Sequence, residues 1–153
     1  MIARLLRRLA VHDGPAIFGA FDGMTVVLGV LFSLTGHPGL ILAAAFGVGI
    51  AEGIGMAAGQ WLSDSDDGFG ASLVIGLATF VGTILPALPY AVLPSRWAMV
   101  ASVGVLAVLA GAITAMRADE RGLGRALAET YGVVVVAAVV VFVVEQFAPG
   151  GSG

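Results

Sequence analysis

The chain contains a long apolar run that begins near Leu40 and includes the stretch Glu52-Gly-Ile-Gly-Met-Ala-Ala-Gly-Gln-Trp-Leu-Ser63. Within this stretch, Glu52, Met56 and Gln60 follow one another at intervals of four residues, which places them on one face of a helix. If that helix crosses a membrane, Glu52 lies near its middle, where a charge is costly and is a functional-site hypothesis by default. The alternative is structural: a polar neighbour satisfies Glu52, and the pair holds two helices together.

The composition indicates an integral membrane protein. Of the 153 residues, 59 % are hydrophobic and only 11 % are charged, whereas a soluble domain has about 25 % charged residues. Cysteine is absent, which excludes a disulfide framework and a zinc–thiolate site. The seven basic residues are all arginine and form no basic patch with aromatic side chains, so nucleic acid is not expected as a partner.

Five apolar segments each have close to the ~20 residues that a bilayer core requires. Their uniform apolarity predicts helices rather than the alternating strands of a membrane barrel. We therefore expect an all-α membrane protein with a single transmembrane domain over residues 1–147, located in a bacterial-type cell membrane. The predicted spans are 16–34, 40–62, 71–92, 97–116 and 126–147, preceded by an interfacial basic segment over 1–11 and followed by a disordered tail over 148–153.

The arginines predict the orientation of these spans. With five spans, the N-terminus shares one side of the membrane with the second connection and with a charged loop expected over Arg117–Arg125. That side carries six arginines, and the opposite side carries only Arg96. The positive-inside rule therefore places the N-terminus in the cytoplasm and the C-terminus outside. The six arginines are Arg4, Arg7, Arg8, Arg117, Arg121 and Arg125.

Small residues recur at helical spacing within the spans. Gly19 and Gly23 form one such pair, and two further pairs are Gly49 with Gly53 and Gly55 with Gly59. Small residues four apart let helix backbones approach closely in lipid. The pattern predicts a compact bundle and does not by itself predict a pore.

Several other polar residues and prolines have structural explanations. Glu129 follows Arg125 by four residues and is expected to pair with it. Pro86 and Pro89 interrupt the third span, either as a simple kink or to line a cavity. Three aspartates of the second connection are expected to form a solvated loop: Asp64, Asp66 and Asp67.

Two intramembrane carboxyl groups and a thioether indicate a site for a divalent cation. Asp22 lies near the middle of the first span, as Glu52 does in the second. Carboxylates alone suit Mg²⁺ or Ca²⁺, and the sulfur of Met56 shifts the preference towards softer ions such as Fe²⁺. Gln60 is a weaker candidate ligand on the same stripe. The alternative role for Met56 is that of filler, which is common for methionine in apolar helices.

Three motifs, in order along the chain, resemble those of the vacuolar iron transporter family, also called the nodulin-21-like family. They are Phe21-Asp-Gly-Met-Thr-Val-Val27 in the first span, the Glu52–Ser63 stretch in the second and Leu85-Pro-Ala-Leu-Pro-Tyr90 in the third. The resemblance implies a homodimeric transporter that moves Fe²⁺ or Mn²⁺ out of the cytosol in exchange for protons. It further implies that Asp22, Glu52 and Met56 line the path, with the ion as cargo and no permanently bound cofactor; Asp22 is our candidate for the proton carrier.

The chain departs from this family in its second connection. Family members carry a long helical metal-binding insertion there, whereas this chain has only the short segment from Asp64 to Gly70. Gln60 also stands where many members have glutamate. These departures favour an alternative class, a transport-incompetent relative that acts as a membrane subunit or assembly factor. A third interpretation is a proton-linked carrier of another cation.

Counting ligands predicts a homodimer. One chain offers Asp22, Glu52 and Met56, which is too few for the roughly octahedral shell of many divalent ions unless water completes it. A two-fold axis beside the first two spans would double this set to six. Two-fold dimers are the commonest homo-oligomers. The alternative keeps the dimer without the ion, with the small residues serving packing alone.

The predicted topology can be checked with tags. Reporter tags at the N-terminus and within Arg117–Arg125 should be cytoplasmic, and a C-terminal tag should be outside, because the arginines remain on the cytoplasmic side. Protease protection in sealed vesicles measures each position. A cytoplasmic C-terminus would show that one of the five predicted spans does not cross the membrane.

Overall fold

The structure is a computed structural model that describes residues 13–63 and 68–147. These residues form five α-helices without strands, and each helix is long and apolar enough to cross a membrane. The expected all-α membrane architecture is thus confirmed. The predicted interfacial segment over 1–11, the three aspartates of 64–67 and the tail over 148–153 lie outside the described residues. The helices are α1 (Asp13–Ser33), α2 (Pro38–Ser63), α3 (Gly68–Ala87), α4 (Ser95–Arg121) and α5 (Leu123–Phe147).

Helix α3 is the centre of the bundle. It is the most buried of the five helices, and it packs along α1 on one side and α2 on the other. Gly19 of α1 lies against the backbone of Ile75, and Gly23 lies against Thr79, so closely that neither position has room for a Cβ atom. From the other side, a Cβ atom at Gly82 would lie 2.5 Å from the carbonyl oxygen of Ala20. The two backbones are therefore in direct contact, as small residues permit in lipid.

Helices α2 and α3 approach one another in the same way. A Cβ atom at Gly76 would lie 2.5 Å from the carbonyl oxygen of Gly53, and one at Gly49 would lie 3.3 Å from the Thr83 side chain. The predicted packing role of Gly49 and Gly53 is confirmed, as it is for Gly19 and Gly23. In contrast, Gly55 and Gly59 have no atom near enough to contact a Cβ atom among the described residues. These two glycines face open space.

Buried threonines supply hydrogen bonds at these crossings. The Thr83 hydroxyl donates to the carbonyl oxygens of Thr79 at 2.9 Å and of Gly23, on the neighbouring helix, at 3.3 Å. Thr79 donates to the carbonyl oxygen of Ile75 at 2.9 Å. Because both side chains are fully buried, these bonds satisfy groups that would be costly to leave unpaired in an apolar interior.

The hydrophobic core fills one half of the bundle. It is built on the C-terminal half of α1 together with the N-terminal part of α2, the C-terminal end of α3 and the middle of α4. Helix α5 is the least buried, and polar contacts join it to the bundle near its C-terminal end and within its N-terminal half. Ser33 donates to the Glu145 carboxylate, and Tyr131 donates to the carbonyl oxygen of Ala107 at 2.9 Å. The core residues include Met24, Val27, Leu31, Ile41, Ala45, Ile84 and Leu106.

The third span changes from α-helix to a 3₁₀ turn between the two prolines, with Pro86 still inside α3 and Pro89 in the turn. The α-helix stops at Ala87, and a 3₁₀ turn over Leu88–Ala91 continues the same span. Proline lacks the backbone N–H that an α-helix needs at this point, and Pro89 occupies the start of the 3₁₀ turn. Its carbonyl oxygen accepts hydrogen bonds from the N–H groups of Val92 and Leu93.

The charged segment Arg117–Arg125 is helical, which corrects the expectation of a loop. Helix α4 continues to Arg121, and α5 begins at Leu123, so that only Gly122 separates them. Alanine, arginine and glutamate favour helix, whereas Gly122 has a φ of +77°, which side chains rarely adopt. The expected pair is confirmed: Arg125 Nε lies 2.7 Å from Glu129 Oε1.

Substitution at two glycines of α1 tests the backbone contact. Gly23→Ala should lower the Tm in detergent, because the added methyl group collides with the α3 backbone at Thr79, and overpacking of this kind costs about 1–3 kcal/mol. Gly29→Ala is the matched control on the same helix. Among the described residues, no atom lies within 4 Å of a Cβ built there, so the Tm of this variant should be unchanged or raised. Equal Tm values for the two variants would contradict this packing.

Candidate functional site

Asp22 lies near the middle of α1, with part of its carboxyl group unpaired. Its Oδ2 atom is buried and has no hydrogen-bond partner among the described residues. The side chain lines a cavity of about 450 Å³ together with Thr25, one turn further along the helix. The residues of α1 that line the cavity run from Gly14 to Thr25, which corresponds to about 16 Å along the helix at 1.5 Å per residue. Its walls are completed by Ile17, Phe18, Phe21 and Arg117.

Met56 and Gln60 line a second cavity, which has a volume of about 480 Å³. The predicted stripe is therefore confirmed for these two residues, since one helix face directs both into the same space. The open faces of Gly55 and Gly59 border this cavity and make room for it. The remaining walls come from Gly14, Pro15, Phe18, Ser63 and Ile75.

Glu52 lies one turn from Met56 and lines neither cavity. Its side chain is half-buried. Asp22 and Glu52 lie near the middles of neighbouring helices, α1 and α2. The structure does not place Asp22 in the cavity of Met56 and Gln60.

Phe18 and Gly14 were not recognised as site residues from the sequence. Both residues line each of the two cavities, so the Phe18 side chain lies between the cavities. Phe18 is 60 % exposed. A signal for them exists, because Gly14, Phe18 and Asp22 follow at intervals of four residues and therefore share one face of α1. Arg117 was assigned to a loop and was likewise not recognised.

A stripe of small residues runs along α2 beside the Glu52–Met56–Gln60 stripe. Its members recur every fourth residue, and all are exposed in the single chain. A Cβ atom at Gly47, Gly55 or Gly59 would meet no neighbouring atom among the described residues. The stripe leaves an exposed strip of small residues along α2 from 43 to 59. It consists of Ala43, Gly47, Ala51, Gly55 and Gly59.

The donor set of one chain is small. Residues 13–63 and 68–147 hold no group of three or more His, Cys, Asp or Glu side chains that could bind a metal ion together. Asp22 and Glu52 supply two carboxylates, and Met56 and Gln60 supply a sulfur and an amide oxygen from the adjoining cavity. A complete shell would need water or ligands from a second chain.

No family model, curated protein or solved structure matches the chain. The resemblance to vacuolar iron transporters therefore depends on the three sequence motifs.

Proposed function

We propose that the chain is a small homodimeric transporter that exports Fe²⁺ or Mn²⁺ from the cytosol through an integral membrane domain of the cell membrane. The observation that carries this proposal is the buried Oδ2 atom of Asp22, which has no hydrogen-bond partner within 13–63 and 68–147, with Glu52 near the middle of the neighbouring helix α2. An unpaired carboxylate in a membrane is expensive and marks ion pathways. A divalent cation would compensate both negative charges.

The ligand types favour first-row transition metals. Carboxylate oxygens from Asp22 and Glu52 bind any divalent cation, whereas the thioether of Met56 favours softer ions over Mg²⁺ and Ca²⁺. Gln60 adds a neutral oxygen in the same cavity as Met56. An ion that passes Phe18 from one cavity to the other would meet both kinds of ligand.

Proton exchange follows from the same chemistry. Carboxylates bind metal only when they are deprotonated, so that metal binding releases protons. Asp22 is the candidate carrier, since its Oδ2 atom has no protein partner among the described residues. The Asp22 carboxyl group would then bind the metal ion that enters from one side of the membrane and, after its release, a proton that enters from the other side.

The exposed small-residue stripe of α2 supports a two-fold axis beside α1 and α2. Small residues four apart let two helices approach closely, and this stripe lies next to Glu52 and Met56. Two copies would bring four carboxyl groups and two thioethers towards one path. This arrangement supplies the six ligands that one chain lacks.

A second candidate function is that of a transport-incompetent membrane subunit or assembly factor. The short second connection favours it, because α2 ends at Ser63 and α3 begins at Gly68. No metal-collecting insertion fits between these two helices. Transport by the purified protein distinguishes the two functions.

Substitution at Glu52 and Met56 tests the path. In proteoliposomes, Glu52→Gln should abolish Fe²⁺ and Mn²⁺ transport, because the amide retains the shape of the side chain but removes its charge. Met56→Leu should mainly weaken Fe²⁺ transport relative to Mn²⁺, the harder ion. Glu145→Gln is the control, since its carboxylate lies at the far end of α5 and accepts a hydrogen bond from Ser33.

The transport assay separates the candidate functions. A parent protein that moves neither metal would favour the subunit or assembly role. Transport at parental rates by both Glu52→Gln and Met56→Leu would show that the stripe serves packing. Circular dichroism and gel filtration of each variant establish that the fold is retained.

Cysteine cross-linking tests the dimer axis, and the absence of native cysteines leaves the background clean. Gly55→Cys should form a disulfide-linked dimer in membranes on mild oxidation, because the open α2 faces meet at the axis. Gly104→Cys, on α4, is the matched control with equally free surroundings and should remain monomeric on a denaturing gel. Cross-linking through Gly104→Cys alone would place the axis elsewhere.

A further inference from the structure

A cluster of charged side chains joins the end of α4 to the start of α5. Glu129 is its centre: Arg117 Nη2 lies 2.6 Å from Oε2, and Arg125 Nε lies 2.7 Å from Oε1. Arg121 Nη1 is further away, at 3.5 Å from Oε2. Arg117 has a second anchor, because its Nη1 donates to the hydroxyl of the buried Thr130 at 3.1 Å.

Arg117 differs from the other two arginines in its surroundings. Its side chain is 23 % exposed, whereas those of Arg121 and Arg125 are 50 % and 70 % exposed. It is also the arginine of this cluster that lines the cavity of Asp22. A permanent positive charge and an unpaired carboxylate oxygen thus border the same 450 Å³ space.

These two groups do not pair. Within 13–63 and 68–147, all ion pairs are made to Glu129, and none is made to Asp22. Guanidinium and carboxylate form strong bidentate hydrogen bonds when their geometry permits. Both terminal nitrogens of Arg117 are instead engaged elsewhere, one by Glu129 and the other by Thr130.

We propose that Glu129 is a positioning residue that holds Arg117 away from Asp22 and thereby keeps the Asp22 carboxylate available to a cation. Thr130 assists by engaging the second nitrogen of the same guanidinium. The consequence for cation transport rests on the proposed function, whereas the restraint on Arg117 is a property of the fold alone.

Charge explains why the restraint matters. While Glu129 is ionised, its carboxylate lies 2.6 Å from the Arg117 guanidinium and offsets the positive charge of that group at the cavity wall. Without Glu129, a bare guanidinium would border the Asp22 cavity. It would repel a divalent ion, since like charges at short range in a low dielectric oppose one another strongly, and it would compete with that ion for Asp22.

The transport experiment uses charge removal and its reversal. Glu129→Gln should lower the rate of Mn²⁺ transport in proteoliposomes by roughly tenfold or more, because the ion must displace Arg117 from Asp22. Adding Arg117→Gln to that variant should restore most of the rate. Arg125→Gln is the matched control: it removes another partner of Glu129 and leaves the Arg117–Glu129 contact in place, so transport should remain parental.

A double-mutant cycle on Tm tests the restraint without any transport. Asp22→Asn and Arg117→Gln are made singly and together, first in the parent and then in the Glu129→Gln background. In the parent, the two shifts in Tm should add, because the residues do not interact. In the Glu129→Gln background they should be non-additive, since the freed Arg117 pairs with Asp22.

Each outcome decides the proposal. Additive shifts in both backgrounds overturn it, as does a Glu129→Gln variant that transports like the parent. A loss of transport that Arg117→Gln does not reverse assigns Glu129 a structural role and also overturns it. If the parent moves no metal, the proposed transport function fails and the cycle alone decides. Should Glu129→Gln not fold, Thr130→Val replaces it, with a smaller effect expected.

Discussion

Direct backbone contact between helices is the constraint on which the bundle depends. Lipid offers no hydrophobic gain for bringing two apolar helices together, so that association must come from dispersion and from hydrogen bonds at short range. Gly23 lies against the α3 backbone, and Gly53 lies against Gly76. At both crossings the helices are therefore close enough for these short-range interactions. The hydrogen bond from Thr83 to the carbonyl oxygen of Gly23 follows from the same short distance. A methyl group at either crossing would separate the helices and remove both contributions.

The same contacts orient the candidate site. Because Gly19 and Gly23 face α3, the residues one position earlier, Phe18 and Asp22, lie on the adjoining face of α1 and border the cavity. Helix α2 follows the same rule, with Gly53 against α3 and Glu52 on the adjoining face. Each of the two candidate carboxyl residues therefore directly precedes a packing glycine, and the glycine contacts fix the face of the helix from which the carboxyl group projects.

Bilayer thickness made the five spans predictable, and the central depth of Asp22 and Glu52 followed from their positions in those spans. The helical course of Arg117–Arg121 was not predicted, because its charges suggested a loop, whereas its helix-forming residues are stabilised by Glu129 on the next helix. The cavities could not be predicted either. They depend on how α1 rotates against α2 and α4, which brings Arg117 to the cavity of Asp22 from a part of the chain that no local pattern connects with it.

The glycine crossings also restrict how the bundle can move. Sliding α1 along α3 by one turn would bring Pro15 or Val27 to one of the two places that Gly19 and Gly23 now occupy, where a side chain has no room, so we expect helices α1 to α3 to move as one block. Helices α4 and α5 meet this block mainly through side chains and are separated from each other only by Gly122. In the proposed dimeric transporter, alternation of access between the two sides of the membrane would then arise from movement of the α4–α5 hairpin or from rocking of one α1–α3 block against that of the second copy.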